Sequence, residues 1–324
     1  MVSRLRDQGF ILALAAALLL AVVHPAWGAS GGLLRSQHTV PLGIALIFFL
    51  QGLTLATEQL WHGLRAWRLH LFIQSWTWLG FPLLALAIAA AAGSLLLPDS
   101  IAGLLLLAVL PTTIASAAAL TAQAGGHVPL ALFNTVLSNL LGIVLTPLWC
   151  VALFASGGGD GNAFAGLVGR IFLLIGLPLL LGHLVRHASR ARADRYKPVF
   201  RRLTSTAIVF IVFAAISDSV ASGTWSRAGW RLAAEGATAA LVLLLLASTL
   251  VWLTAGRVAG DRPQRLAAFF CGSQKTLAAG VPMAAIIFAG SATDLGRLLL
   301  PLLAYHPMQL LLGALLAGRW GEGV

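Results

Sequence analysis

Residues Ile101–Ala122 read IAGLLLLAVLPTTIASAAALTA. The stretch carries no charge, and as a helix rising 1.5 Å per residue it is long enough to cross a hydrocarbon core of roughly 30 Å. At its centre Pro111-Thr112-Thr113 removes a backbone donor and supplies hydroxyls where that donor is lost. The stretch therefore decides two things at once: it is a membrane helix, and it is a discontinuous one.

Similar apolar runs continue on both sides. Hydropathy places segments near 9–27, 40–57, 70–92, 101–122, 128–155, 164–185, 203–220, 236–256, 266–289 and 296–317. With 59% of 324 residues hydrophobic and 10% charged, against about 25% charged in a soluble domain, the expected fold class is an all-α polytopic membrane protein of about ten transmembrane helices, its partner the lipid bilayer. The net charge of +11 lies in short loops rather than in one stripe, so it is a topology signal and excludes a nucleic-acid partner. An N-terminus inside puts Arg4, Arg6, Arg65, Arg68, the seven basic residues from Arg186 to Arg202, Arg257, Arg262, Arg265 and Arg319 on the cytoplasmic side. That is 15 of the 21 Lys and Arg, against five outside or at the outer boundary (Arg35, Arg170, Arg227, Arg231, Arg297), and both termini are expected to be cytoplasmic. Tryptophans 27, 61, 67, 225, 230 and 320 fall at segment ends, where an indole has lipid on one side and water on the other. The near absence of Lys beside many Arg is the coding bias of a GC-rich bacterial genome, which places the protein in a bacterial inner membrane. Arg4, Arg6, the first apolar run and Ala26-Trp27-Gly28 also have the layout of a cleavable secretory signal. Cleavage would leave nine helices and spoil the symmetry described next.

The stretch Ser156-Gly157-Gly158-Gly159-Asp160-Gly161 divides the chain into 1–160 and 161–324, with five segments in each. An odd number per half forces opposite orientations, the inverted-repeat plan in which corresponding helices are interrupted and their ends line a midplane site. Segment 4 carries Pro111-Thr112-Thr113 and continues through Ser116, Thr121 and Gln123; segment 9 carries Cys271-Gly272-Ser273-Gln274-Lys275-Thr276 and then Gly280-Val281-Pro282. Segment 5 adds Asn134, Thr135, Ser138 and Asn139, of which the last three share a helical face. Ordinary packing accounts for any single one of these small or polar residues. Taken jointly, the three stretches read as functional lining.

Lys275 is the most informative side chain, because an ammonium deep in a membrane helix costs at least about 2.5–3.5 kcal/mol. Glu58, Asp99, Asp218 and Asp294 all stand at segment ends, so its compensation is expected from water, an anionic substrate or the carbonyls of the broken helices, with proton exchange as a further role. Snorkelling to an interface is the bland alternative. His306, before Pro307, is a candidate proton relay or a hydrogen-bond partner at a kink; packing alone also explains it. His62, His70, His127 and His183 read as loop or helix-end residues. Cys150 and Cys271 form no disulfide or metal-ligand pattern. No phosphate loop, HExxH, GxSxG or paired carboxylates are present, so neither an enzyme nor an ATP-driven pump has visible machinery, and no cofactor is called for. Discontinuous helices in inverted halves favour alternating access over a continuous pore.

Four stretches carry a resemblance: Ile47-Phe48-Phe49-Leu50-Gln51-Gly52-Leu53, Leu110-Pro111-Thr112-Thr113, Ala131-Leu132-Phe133-Asn134, and Phe270-Cys271-Gly272-Ser273-Gln274-Lys275-Thr276. Over nearly its whole length the chain resembles the bile acid:sodium symporter superfamily, in its SBF-like branch. The resemblance implies ten helices, a panel from helices 1, 2, 6 and 7, and a core from helices 3–5 and 8–10 in which helices 4 and 9 cross. It carries sodium-ligand positions onto Ser116, Thr135, Gln74 and Gln274, while Ala117, Ala131 and Phe270 stand where those symporters have polar or acidic ligands. Sodium is therefore the candidate coupling ion, and the missing carboxylate speaks against it. The expected function is secondary transport of a small organic anion, the Lys275 ammonium supplying part of the charge that a bound cation supplies in the relatives. The expected substrate and ion site comprises Gln74, Thr112, Thr113, Ser116, Asn134, Thr135, Ser138, Asn139, Ser273, Gln274, Lys275, Thr276 and His306. A non-transporting regulator or sensor, and a cation/proton antiporter, are the alternatives; the latter lacks an evident core carboxylate.

Overall fold

The computed structural model describes residues 2–54, 66–154, 166, 169–290 and 293–321, without the side chains of 2–8 and 224–228. The glycine-rich stretch at 156–161 and Glu58, Trp61, His62 and Arg65 lie outside the described residues, as do the side chains of Arg4, Arg6, Trp225 and Arg227. The described residues form helices and no strand: α1 Val2–Val23, α2 Pro25–Gly28, α3 Ser36–Thr54, α4 Trp67–Ala92, α5 Pro98–Ala108, α6 Ala115–Gln123, α7 Val128–Phe154, α8 Gly169–Ala188, α9 Arg190–Ala221, α10 Thr224–Ala255, α11 Arg262–Ser273, α12 Leu277–Ile287, α13 Leu295–Leu298 and α14 Leu300–Gly321.

Among the described residues, seven helical runs are long and apolar enough to span a membrane: α3, α4, α7, α8, α9, α10 and α13 with α14. Three of the ten expected segments are shorter for identifiable reasons. The apolar part of α1 is Gly9–Val23, because Arg4, Arg6, Asp7 and Gln8 precede it. Segment 4 is divided into α5 and α6, and segment 9 into α11 and α12. Helices also outrun hydropathy: α9 begins at Arg190 rather than near 203 and α10 at Thr224 rather than near 236. Arg, Lys and Ala are good helix formers, so a helix continues into water where the lipid-facing run has ended.

The chain forms two compact units. The first comprises Met1–Leu55, Asp160–Arg231 and Val281–Leu299. Its α3 and α8 cross where glycines meet: a Cβ on Gly52 would strike the Leu179 carbonyl, and one on Gly182 the Phe49 carbonyl. Close backbone approach at small residues is how membrane helices gain packing energy without a hydrophobic driving force. Arg186, 6% exposed, donates to the Leu53 carbonyl at the end of α3 and to Asp194 at 3.0 Å.

The second unit comprises Ala56–Gly159, Leu232–Gly280 and Leu300–Val324. Its apolar core draws Leu69 and Ile73 from α4, Leu120 from α6, Leu130 and Ala131 from α7, Val251 from α10 and Leu266–Cys271 from α11. Within α4, residues Trp76–Gly80 form a π-helical turn, and the Phe81 N–H returns to the Trp76 carbonyl. Pro82 is the cause, since it has no N–H to offer the preceding turn. The carbonyls of Thr77 and Trp78 lose their helical partners, and the Trp149 indole N–H takes the second at 3.0 Å. The first is taken by a charge.

Candidate functional site

The two interrupted helices meet in the second unit. Helix α5 stops at Ala108 because Pro111 cannot continue its hydrogen bonds, and the chain resumes as α6 at Ala115. Every carbonyl from Ala108 to Thr112 receives a donor from another segment: Ala108 and Leu110 from Lys275 Nζ, both at 2.7 Å, Val109 from Thr146 Oγ1 at 2.9 Å, Pro111 from the Thr276 N–H at 2.9 Å, and Thr112 from Asn139 Nδ2 at 2.8 Å. Ser138 Oγ accepts the Thr112 N–H at 3.1 Å. Adjacent side chains of α7 thus hold both backbone polar groups of Thr112, which matters because an unmet buried backbone group costs as much as a lost hydrogen bond.

The second break has the same construction. Helix α11 ends at Ser273, Gln274 is extended (φ −104°, ψ 151°) and α12 starts at Leu277. The Tyr305 hydroxyl donates to the Ser273 carbonyl at 2.8 Å. Gln309 on α14 accepts the Lys275 N–H at 2.8 Å and donates to the Lys275 carbonyl at 2.7 Å, its amide standing in for a backbone strand. His306 Nδ1 lies 3.1 Å from the Gln309 Nε2 atom. The Thr276 hydroxyl accepts the Ala279 N–H and so caps α12.

Of the surroundings left open for Lys275 by the sequence, the structure contains the carbonyls. The residue is 0% exposed. Its Nζ donates to Thr77, Ala108 and Leu110 at 2.9, 2.7 and 2.7 Å, and lies 4.2 Å from the Phe81 ring centroid. An ammonium has three donors, and all three are used. One acceptor, Ala108, is the last carbonyl of α5, and Leu110 lies two residues beyond it, at the end where the helix dipole is negative. At the other end of α5, Glu235 accepts the Leu97 N–H at 2.7 Å and the Ser100 hydroxyl at 2.9 Å. This half-helix is bracketed by charges of the stabilising sign at both ends.

Polar residues fan out from the breaks. Ser116 Oγ donates to Gln274 Oε1 at 2.8 Å and lies 3.2 Å from Thr113 Oγ1, so three residues singled out in the two broken segments are joined directly. Gln74 Nε2 donates to Asn134, whose amide lies 2.9 Å from His70 Nδ1, and the Trp78 indole donates to Gln74. The hydroxyl of Thr135 is turned to its own helix, at Leu132, and that of Ser273 to Phe269. The Thr112 hydroxyl is buried without a partner. A cavity of about 10 Å³, lined by Ser248, Ser273, Gln274, Gln309 and Gly313 among others, has room for roughly one water.

All thirteen expected site residues fall in this unit. The structure adds Gln309, Tyr305, Thr146 and Glu235, which sequence reasoning passed over. His70 stands in the first turn of α4, the helix-end place read from the sequence, and its imidazole is 8% exposed and packs on Phe133 within the Asn134 network. Among the described residues no cluster of three His, Cys, Asp or Glu side chains could hold a metal ion, and sodium coordination here would rest on hydroxyl, amide and backbone oxygens.

A polytopic helical chain whose two broken helices meet at a buried, hydrogen-bonded polar centre has the build of a membrane transporter. Residues 8–322 match the SBF-like CPA transporter family, and the chain belongs to that family. It is 38% identical to the uncharacterized protein PA2026 of Pseudomonas aeruginosa over 320 residues, 98% of this chain and 94% of that one. YfeH of Escherichia coli (strain K12), named as a proposed symporter, is 35% identical over 311 residues, 96% of this chain and 92% of the relative. Sodium/bile acid cotransporter 7 of Rattus norvegicus is 31% identical over 330 residues, 98% and 93% of the two chains. The protein is a transporter of the bile acid:sodium family and not an enzyme.

Proposed function

We propose that the protein is a secondary transporter of a small organic anion, working by alternating access in a bacterial inner membrane, with both termini cytoplasmic. Its ten transmembrane segments form two inverted repeats, 1–160 and 161–324, with helices 1, 2, 6 and 7 as a panel and helices 3–5 and 8–10 as a core. The division into two units supports the panel and core for all but Val281–Leu299, which carries the second half of segment 9 and groups with helices 1, 2, 6 and 7. The observation that carries the functional reading is the meeting of the breaks, where the Thr276 N–H bonds the Pro111 carbonyl and the surrounding side chains are those singled out for substrate and ion. The anion would be bound by hydroxyls and side-chain amides at the break ends, and Lys275 would act on it as a fixed positive charge rather than by contact. The relatives named for sodium and bile acid cotransport support an amphipathic anion with sodium as coupling ion; the lack of a carboxylate at the matched ligand positions speaks against sodium, and His306 beside Gln309 is the group that could carry a proton in its place.

The test is uptake of a labelled bile acid conjugate and of small carboxylates by purified protein in proteoliposomes, under a sodium gradient or a pH gradient. Lys275→Gln keeps two amide donors for the carbonyls but removes the charge, and is expected to abolish flux while retaining a cooperative melting transition. Full activity in Lys275→Gln would end the proposed role of Lys275, and absence of any gradient-driven flux through the wild type would end the transporter mechanism.

A further inference from the structure

The Lys275 ammonium is held as a free monovalent cation would be. Three main-chain oxygens surround it at 2.7–2.9 Å, an aromatic face closes the site at 4.2 Å, and these three bonds of Nζ are all to carbonyls rather than to a carboxylate. Carbonyl dipoles replacing a hydration shell are how proteins bind potassium-sized ions, and a ring face adds attraction for a desolvated ammonium. The oxygens are not free to follow a smaller ion. Ala108 and Leu110 flank a break fixed by Thr146, Asn139 and Ser138, and Thr77 belongs to the π turn imposed by Pro82. None of the three comes from Gln74, Ser116, Thr135 or Gln274, the residues matched to sodium-ligand positions.

We infer that the carbonyls of Thr77, Ala108 and Leu110 form a second cation site, selective for ions of ammonium size, which the chain keeps filled with its own Lys275. The inference rests on the reading of Lys275 as a resident charge, and names what the site takes when that charge is removed. Lys275→Ala deletes Cγ, Cδ, Cε and Nζ, the atoms of n-propylammonium, and leaves a tunnel of their shape ending at three unmet carbonyls. The variant becomes a receptor for propylammonium and, more weakly, for ammonium and potassium.

The experiment is the melting temperature of detergent-purified Lys275→Ala and wild type in n-propylammonium, ammonium, potassium, sodium and choline chlorides at matched ionic strength, since a ligand of the folded state raises it. The expected result is a saturable rise in the variant alone, largest with propylammonium, smaller with ammonium and potassium, and absent with sodium and choline. Equal melting temperatures in all five salts, or the same rise in wild type, would overturn the inference. Lys275→Met fills the tunnel with an apolar chain and is expected to gain nothing; rescue equal to that of Lys275→Ala would count against a defined site. If Lys275→Ala accumulates poorly, its folded yield from cells grown with propylammonium reads the same equilibrium, and an unchanged yield overturns the inference. The readout involves no flux, so its failure is distinct from failure of the transporter mechanism.

Discussion

At the scale of single residues the informative feature is a stretch of backbone held by a side-chain amide. Gln309 meets both the N–H and the carbonyl of Lys275, and the backbone so held positions the ammonium. Gln309→Leu leaves both groups buried and unmet, at about 1–3 kcal/mol each, so its thermal stability should fall by about 2–6 kcal/mol in a denaturation experiment, with flux lost in parallel. Gln309→Glu keeps an acceptor for the N–H but turns a negative oxygen toward the carbonyl, and should recover part of the stability at most; a variant as stable as wild type would show that the break holds its shape without the clamp. Lys275 was legible in the sequence because a charge in an apolar run needs compensation, and Ser138 and Asn139 because their spacing put them on one face. Gln309 had a comparable signal, an amide one turn from His306 in segment 10, and was passed over. The partners of Lys275 were not legible as residues at all, since they are carbonyls and only the prolines that free them leave a trace.

At the scale of elements, two prolines make the acceptors. Pro111 ends α5, and that interruption was readable from Pro-Thr-Thr inside an apolar run. Pro82 produces the π turn of α4, which the sequence analysis did not anticipate although Gly80-Phe81-Pro82 marks it. A second π turn, Phe172–Gly176 in α8, precedes Pro178 in the same way, which assigns the feature to proline register rather than to the site. Pro82→Ala restores an N–H that can close the α-helical bond to Trp78 and draw the Thr77 carbonyl back into the helix. Removing a helix-interior proline ordinarily stabilises. Here it should cost about 1–3 kcal/mol, the loss of one bond to a buried charge, whereas Pro178→Ala should be neutral or stabilising. Melting curves of the two variants check this, and identical behaviour would deny the π turn its role. In the first unit, Gly182→Val drives a branched side chain into the Phe49 carbonyl; overpacking of this kind costs about 1–3 kcal/mol or more, to be read as lost folded yield. Helix ends were the least legible feature, because hydropathy marks where lipid ends and α9 and α10 run on into polar turns.

At the scale of the whole molecule the open variable is the ion that energises transport, and the folded state itself can report it. The sodium-ligand positions carried over by resemblance are only partly assembled. Ser116 and Gln274 are bonded to each other, but Thr135 turns its hydroxyl to Leu132 and Gln74 is committed to Asn134. Sodium binding would have to recruit Gln274 Oε1 away from Ser116 and would do so without a carboxylate. A ligand bound only by the native state adds about 2.7 kcal/mol of stability at a hundredfold excess over its Kd, a shift that melting curves resolve. Wild-type protein in sodium, potassium and choline chlorides at matched ionic strength therefore separates the two mechanisms. A sodium-specific rise that vanishes in Gln274→Ala would show that hydroxyl and amide oxygens suffice for sodium even against the repulsion of the Lys275 ammonium. Equal melting temperatures in the three salts would leave protons to drive the cycle. His306 would then be the group to replace, because its Nδ1 atom meets the amide that clamps Lys275 and a proton arriving there would turn an acceptor into a donor against Gln309. His306→Gln should then remove pH-driven uptake while leaving the melting transition in place.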